Sequence, residues 1–147
     1  MTQQNYRLNI IVPNDSANWR RLIMLEILFA TLVLYVVGLM LPSLIGILRK
    51  ELNLDFLVGP RDVQPEVSLA VLRIRRASTN LQESLLIFVP LSLLAIGSNA
   101  AVAETAAIWL GLRVAYLITY AMGLRHVRTI IWTISMVHLY LMGAALI

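Results

Sequence analysis

Apolar residues gather into four long runs, at 22–48, 85–103, 105–123 and 129–147, and polar residues collect in the stretches between them. Each run is close to the ~20 residues a helix needs to cross the hydrocarbon core of a bilayer. Glu26 interrupts the first run, Arg113 the third, and the fourth carries no formal charge. The second run is fed by a polar stretch, RIRRASTNLQE at 73–83, whose charged positions recur at helical spacing. That helix is predicted to start at Pro65-Glu66, since proline and an acid suit a first turn. The predicted spans are then 20–48, 66–98, 104–124 and 127–147. Connections this short leave no room for a separate soluble domain. The chain is therefore expected to be one domain over 1–147, an all-α integral membrane protein built as a four-transmembrane-helix bundle. Pro42 and Pro90 fall inside spans, where they are expected to bend the helix.

The first run exceeds the apolar core of a secretory signal, and no small-residue cleavage site follows it, so it is taken as a permanent span. The polar start before it is too short to fold alone, with Asp15 or Ser16 available to cap the helix and Trp19 suited to the interface. Asn14-Asp15-Ser16 matches a glycosylation acceptor, a triplet common by chance.

Composition agrees with the pattern: 59% of the 147 residues are hydrophobic and 14% charged, with a mean hydropathy of +0.79. There is no cysteine, which excludes disulfides and any protein thiol as nucleophile. His126, ahead of the fourth predicted span, and His138, within it, are expected on different elements, so no metal site is expected. The basic residues are divided unevenly. Arg7, Arg20 and Arg21 fall at one face, and Arg49, Lys50, Arg61, Arg73, Arg75, Arg76, Arg125 and Arg128 at the other. The positive-inside rule puts the second group in the cytosol and both termini outside. The net charge of +4 belongs to that face, at membrane junctions rather than on a soluble surface, so nucleic acid is not an expected partner.

Two polar stripes stand out. Arg73, Arg76, Asn80 and Glu83 are spaced 3, 4 and 3 apart on the second helix, and Arg113, Tyr116 and Tyr120 are spaced 3 and 4 apart on the third. Each set shares one helical face. Because the two helices are antiparallel, Glu83 should meet Arg113 at one depth and Arg76 should lie near Tyr120, forming a polar cleft open to the cytosol. A Glu83–Arg113 ion pair could also simply hold the bundle together. Arg75 alone is accounted for as part of the positive-inside cluster. Glu26 fits the outer interface, and His138 and Tyr140 fit interhelical hydrogen bonding.

At these residues a resemblance becomes specific. RIRRASTNLQE resembles the R-x-x-R-A-x-x-N-x-x-E motif on the second helix of the MAPEG family, the membrane-associated proteins of eicosanoid and glutathione metabolism. GLRVAYLITYAMG is similar to that family's third helix, Gly46-Ile47-Leu48-Arg49 to the close of its first, and Arg128-Thr129 to the start of the fourth in bacterial members. The resemblance implies a homotrimer with glutathione bound between neighbouring subunits on the cytosolic side. It implies that Arg76, Asn80 and Glu83 together with Arg113, Tyr116 and Tyr120 contact glutathione, and that Arg49 reaches in from the adjacent subunit. Arg128 matches the arginine that holds the thiolate, with Arg125, three residues earlier, left as its rival. Ser78 and Thr79 stand where some relatives carry His, Gln or Arg.

The residue types suit that ligand independently. Glutathione carries two carboxylates, an ammonium and a thiol; arginines grip carboxylates, and a glutamate accepts from an ammonium. A guanidinium beside a thiol favours the reactive anion. The expected function is a glutathione-dependent membrane transferase, with peroxidase activity also open, acting on a lipophilic electrophile that arrives from the bilayer. The alternatives are a non-catalytic lipid-binding or scaffold protein of the same fold, and a small transporter, against which the lack of inverted repeats argues. Brevity and the Arg128-Thr129 junction favour a bacterial inner membrane over the endoplasmic reticulum.

Overall fold

The computed structural model describes residues 15–60, 62 and 65–147. Arg7, Asn14 and Arg61 lie outside the described residues, and with them the glycosylation triplet and two of the charges used for orientation. Among the described residues five helices follow one another: α1 (Asp15–Leu48), α2 (Leu54–Val58), α3 (Leu69–Ser98), α4 (Ala103–Met122) and α5 (Arg125–Ala144). α5 begins early enough to hold both His126 and His138, which the sequence pattern set on different elements. All but α2 are long and apolar enough to cross a membrane. Four such helices are the pattern of a multi-pass integral membrane protein.

The spans fall into two lengths. Asn18–Leu48 and Leu69–Ser98 have 31 and 30 residues, whereas α4 and α5 have 20 each. At 1.5 Å per residue these are about 45 Å and about 30 Å, against a hydrocarbon core of roughly 30 Å. The helices also pack as two pairs, α1 along α3 and α4 along α5, joined where α3 meets α4.

Local chemistry sets the ends. Asn99 and Gly123 take left-handed conformations, with φ of 57° and 78°, and each turns its N–H back onto the closing turn of α3 and α4. α3 therefore ends before Ala103, where the apolar run itself continues. It also begins at Leu69 rather than at Pro65-Glu66: the backbone N–H of Ser68 is bonded to the Glu51 carboxylate at 2.8 Å, and residues 65–68 are not helical. That bond ties the start of α3 to the end of α1. Between them α2, which the apolar pattern did not announce, is capped by Asn53, whose side chain accepts from the Phe56 N–H at 2.8 Å. Pro42 and Pro90 sit inside α1 and α3, which continue through them.

The core is narrow. Phe88 of α3 stacks on Trp109 of α4 with ring centroids 4.0 Å apart and planes 9° from parallel, surrounded by Met24, Leu81, Ala106, Leu139 and Met142. Small residues let backbones approach, as membrane helices require. Ser78 Oγ donates to the Gly38 carbonyl at 2.6 Å, joining α3 to α1. Buried Ser84, Ser92 and Ser135 return their hydroxyls to carbonyls of their own helices. Phe29, Met40, Leu86 and Tyr140 point outward and are exposed, which suits a lipid-facing surface and would be a liability in water.

Candidate functional site

The halves of α3, α4 and α5 nearest the α4–α5 link converge on two adjoining cavities. One, of about 360 Å³, is lined by Arg75, Arg76, Thr79, Asn80, Glu83, Tyr116 and Tyr120. The other, of about 210 Å³, is lined by Asn80, Tyr116, Tyr120, Arg128, Thr129 and Trp132. Asn80 and the two tyrosines stand between them and face both.

Helical spacing explains why these side chains meet. Arg76, Asn80 and Glu83 rise along one flank of α3, and Tyr116 and Tyr120 are one turn apart on α4. The tyrosine rings pack edge to face with centroids 5.5 Å apart. The two-residue link Gly123-Leu124 then folds α5 back, so that the Arg128 guanidinium carbon lies 4.4 Å from the centre of the Tyr120 ring. That is a cation–π contact, which fixes a long flexible side chain at the cavity wall. Arg125 is exposed and lines neither cavity; of the two arginines, Arg128 is the one beside the tyrosines.

The expected Glu83–Arg113 pair is not made. Arg113 is 2% exposed, and its Nη1 donates instead to Asn80 Oδ1 at 2.9 Å. Its Nε and Nη2 have no hydrogen-bond partner, and its charge lies 5.3 Å from the centre of the Trp109 ring and 5.9 Å from that of Tyr116. The reason is rotational. Glu83 is about 60° around the helix from Asn80 at 100° per residue, so Asn80 turns inward to α4 while Glu83 stays exposed on the cavity flank. Arg113 stands behind Asn80 and lines neither cavity.

Arg49 is not part of this cluster within its own chain. It sits just past α1, with its side chain 53% exposed, 3.9 Å from the Glu51 carboxylate. On that side of α3 a third cavity, of about 280 Å³, opens between α1, α2 and α3 and shares Arg75 and Thr79 with the first. Gln82 also lines it. Arg75, Thr79 and Gln82 are spaced 4 and 3 apart, a second stripe on α3 beside the first. Thr129 and Trp132 also stood outside the predicted set, although Trp132 follows Arg128 by one helical turn.

The chemistry available is that of a polar, zwitterionic ligand: cations at Arg75, Arg76 and Arg128, amide and hydroxyl groups at Asn80, Thr79 and the tyrosines, and one carboxylate at Glu83. Among comparisons with known proteins, the sequence profile of the MAPEG family matches residues 27–147. No curated protein and no solved structure matched the chain.

Proposed function

We propose, on the premise that this chain belongs to the MAPEG family, that it is a glutathione-dependent transferase acting on lipophilic electrophiles. The observation that carries this reading is the pairing of the two cavities: guanidinium and amide donors with a single carboxylate in one, and an arginine seated on a tyrosine in the other. Glutathione, with two carboxylates, one ammonium and one thiol, needs that set of partners. Arg76 and Asn80 would hold carboxylate or peptide oxygens, Glu83 would accept from the ammonium, and Tyr116 and Tyr120 would wall the peptide between them. Bound there, glutathione supplies the nucleophilic sulfur, which a chain without cysteine cannot. Arg128 is already immobilised against Tyr120, so its charge can favour the thiolate without being reorganised. Exposed apolar helix faces give a lipid-borne electrophile access from the side.

Arg49, lying across α3 from these cavities in its own chain, supports a shared site in which a neighbouring subunit of a homotrimer brings it in. The sequence favours a bacterial inner membrane, with the basic ends of the helices in the cytosol. An apolar groove of about 540 Å³ beside α1, lined by Leu39, Met40, Leu44 and Ile47, favours the second reading, a lipid-binding protein without turnover. Glutathione titration of detergent-purified protein, followed by ultraviolet thiolate absorbance and by conjugation of a model electrophile, separates the two. Thiolate formation with turnover supports the transferase. Binding of lipid with neither signal supports the second reading.

A further inference from the structure

Arg113 is the polar group that the ligand chemistry above leaves without a task. It lies halfway along α4, 2% exposed, and a cation at that depth is costly enough that its one directional bond carries information. That bond runs from Nη1 to Asn80 Oδ1 at 2.9 Å. A guanidinium has five donors and no acceptor, so the amide atom that faces it is the oxygen. The Asn80 nitrogen, with both its hydrogens, consequently points away from the Arg113 guanidinium. Asn80 lines both cavities, so those hydrogens are presented to whatever occupies them.

We propose that Arg113 is a positioning residue that holds the Asn80 amide by its oxygen, so that Asn80 acts only as a donor and selects an acceptor, a carboxylate or peptide carbonyl oxygen, on the bound ligand. An asparagine free to rotate could turn either end of its amide to the ligand; this one, held by its oxygen, offers its nitrogen. The arrangement gives the site polarity along α3, with acceptor-seeking groups at Arg76 and Asn80 and the donor-seeking carboxylate at Glu83, farther along the helix. Trp109 and Tyr116 hold the guanidinium between them, which leaves Asn80 as its only hydrogen-bonded partner among the described residues. The identity of the ligand rests on the glutathione reading; the orientation of the amide does not.

Three variants test this, with glutathione as the probe in calorimetry and the melting temperature in detergent as a second readout. Asn80→Asp sets a carboxylate against Arg113 and leaves the cavity an oxygen with no hydrogen to give. Its melting temperature should rise, the rise should vanish in an Arg113→Met background, and glutathione affinity should fall about 10-fold or more. Arg113→Met keeps the volume but frees the amide, so affinity should fall about 10-fold while the melting temperature is held or raised. Arg113→Lys, which still offers only donors, should stay within about threefold of wild type. Wild-type affinity in Arg113→Met or Asn80→Asp overturns the proposal. So does parallel loss of binding and stability in Arg113→Lys and Arg113→Met, which marks a purely structural role. If the wild type itself does not bind glutathione, the transferase reading is what fails. The Arg113-dependent rise in melting temperature then decides the orientation alone, upholding it if present and overturning it if absent.

Discussion

Arg128 and Arg125 differ by three residues in sequence and by their surroundings in space. Arg128 rests on Tyr120, whereas Arg125 is exposed and clear of both cavities. Replacing Arg128 by Ala should therefore raise the pKa of bound thiol by about one unit, which corresponds to ~1.4 kcal/mol. Glutathione affinity should fall less than turnover, because the lost contact favours the reacting anion. Arg125→Ala should leave both unchanged, and a pH titration of thiolate absorbance in the two variants checks the difference. The opposite ranking would move the thiolate contact to Arg125. The stripe Arg76, Asn80 and Glu83 could be found in the sequence because helical spacing reveals a shared face. Which member turns inward could not. A difference of about 60° around the helix separates Asn80, bonded to Arg113, from Glu83, exposed on the flank, and the direction depends on how α3 is rotated against α4.

Among the elements, the four spans were legible because a helix crossing lipid must satisfy its own backbone and present about 20 largely apolar residues. The short α2 was not, since five residues carry too little pattern to register, nor was the late start of α3, where Ser68 is bonded to Glu51, 17 residues earlier. That bond makes a prediction. The Ser68 backbone N–H, aided by Arg49, holds the Glu51 carboxyl below its ordinary value of 4.5. A carboxyl depressed in the folded state stabilises above its unfolded pKa, and that contribution is lost as pH falls through the lower folded value. Acidification below about 4.5 should thus speed proteolysis of the α1–α3 connector, and Glu51→Gln should remove that pH dependence. The α4–α5 link depends on a different constraint. Gly123 has φ +78°, and a Cβ there would lie 2.6 Å from Arg73 Nη1. Gly123→Ala should cost about 1–2 kcal/mol for the left-handed backbone alone. The atoms a Cβ would meet are the far end of the flexible Arg73 side chain, which can move aside, so adding Arg73→Ala should recover little of the fall in melting temperature.

For the molecule as a whole, the position of Arg49 matters most. It pairs loosely with Glu51 on the α1 side of α3, away from the cavities that hold Arg76 and Arg128. A shared site predicts that coexpressed Arg49→Ala and Arg76→Ala subunits assemble into mixed trimers that retain activity, since some interfaces keep both arginines. Each variant alone should be nearly inactive. A fully active monomer in mild detergent, or mixed assemblies no better than either parent, would dispose of the shared site.

The two helix lengths have a consequence for the bilayer itself. Where α4 and α5 face lipid, the protein matches a hydrocarbon core of roughly 30 Å, but along α1 and α3 it is about 45 Å long. The first part of α3 is the polar stripe at 73–83, so the excess apolar length lies along α1, and there the surrounding lipid must deform or the protein must tilt. Tyr120 and Arg128 stand within about one turn of the end of the short pair, at the level where a thickening membrane first closes over them. In vesicles of phosphatidylcholines with progressively longer acyl chains, glutathione should reach the site less readily as chain length grows. Hydrophobic mismatch would then act as a gate, with the thickness of the host membrane setting how far a water-borne thiol can meet a lipid-borne partner.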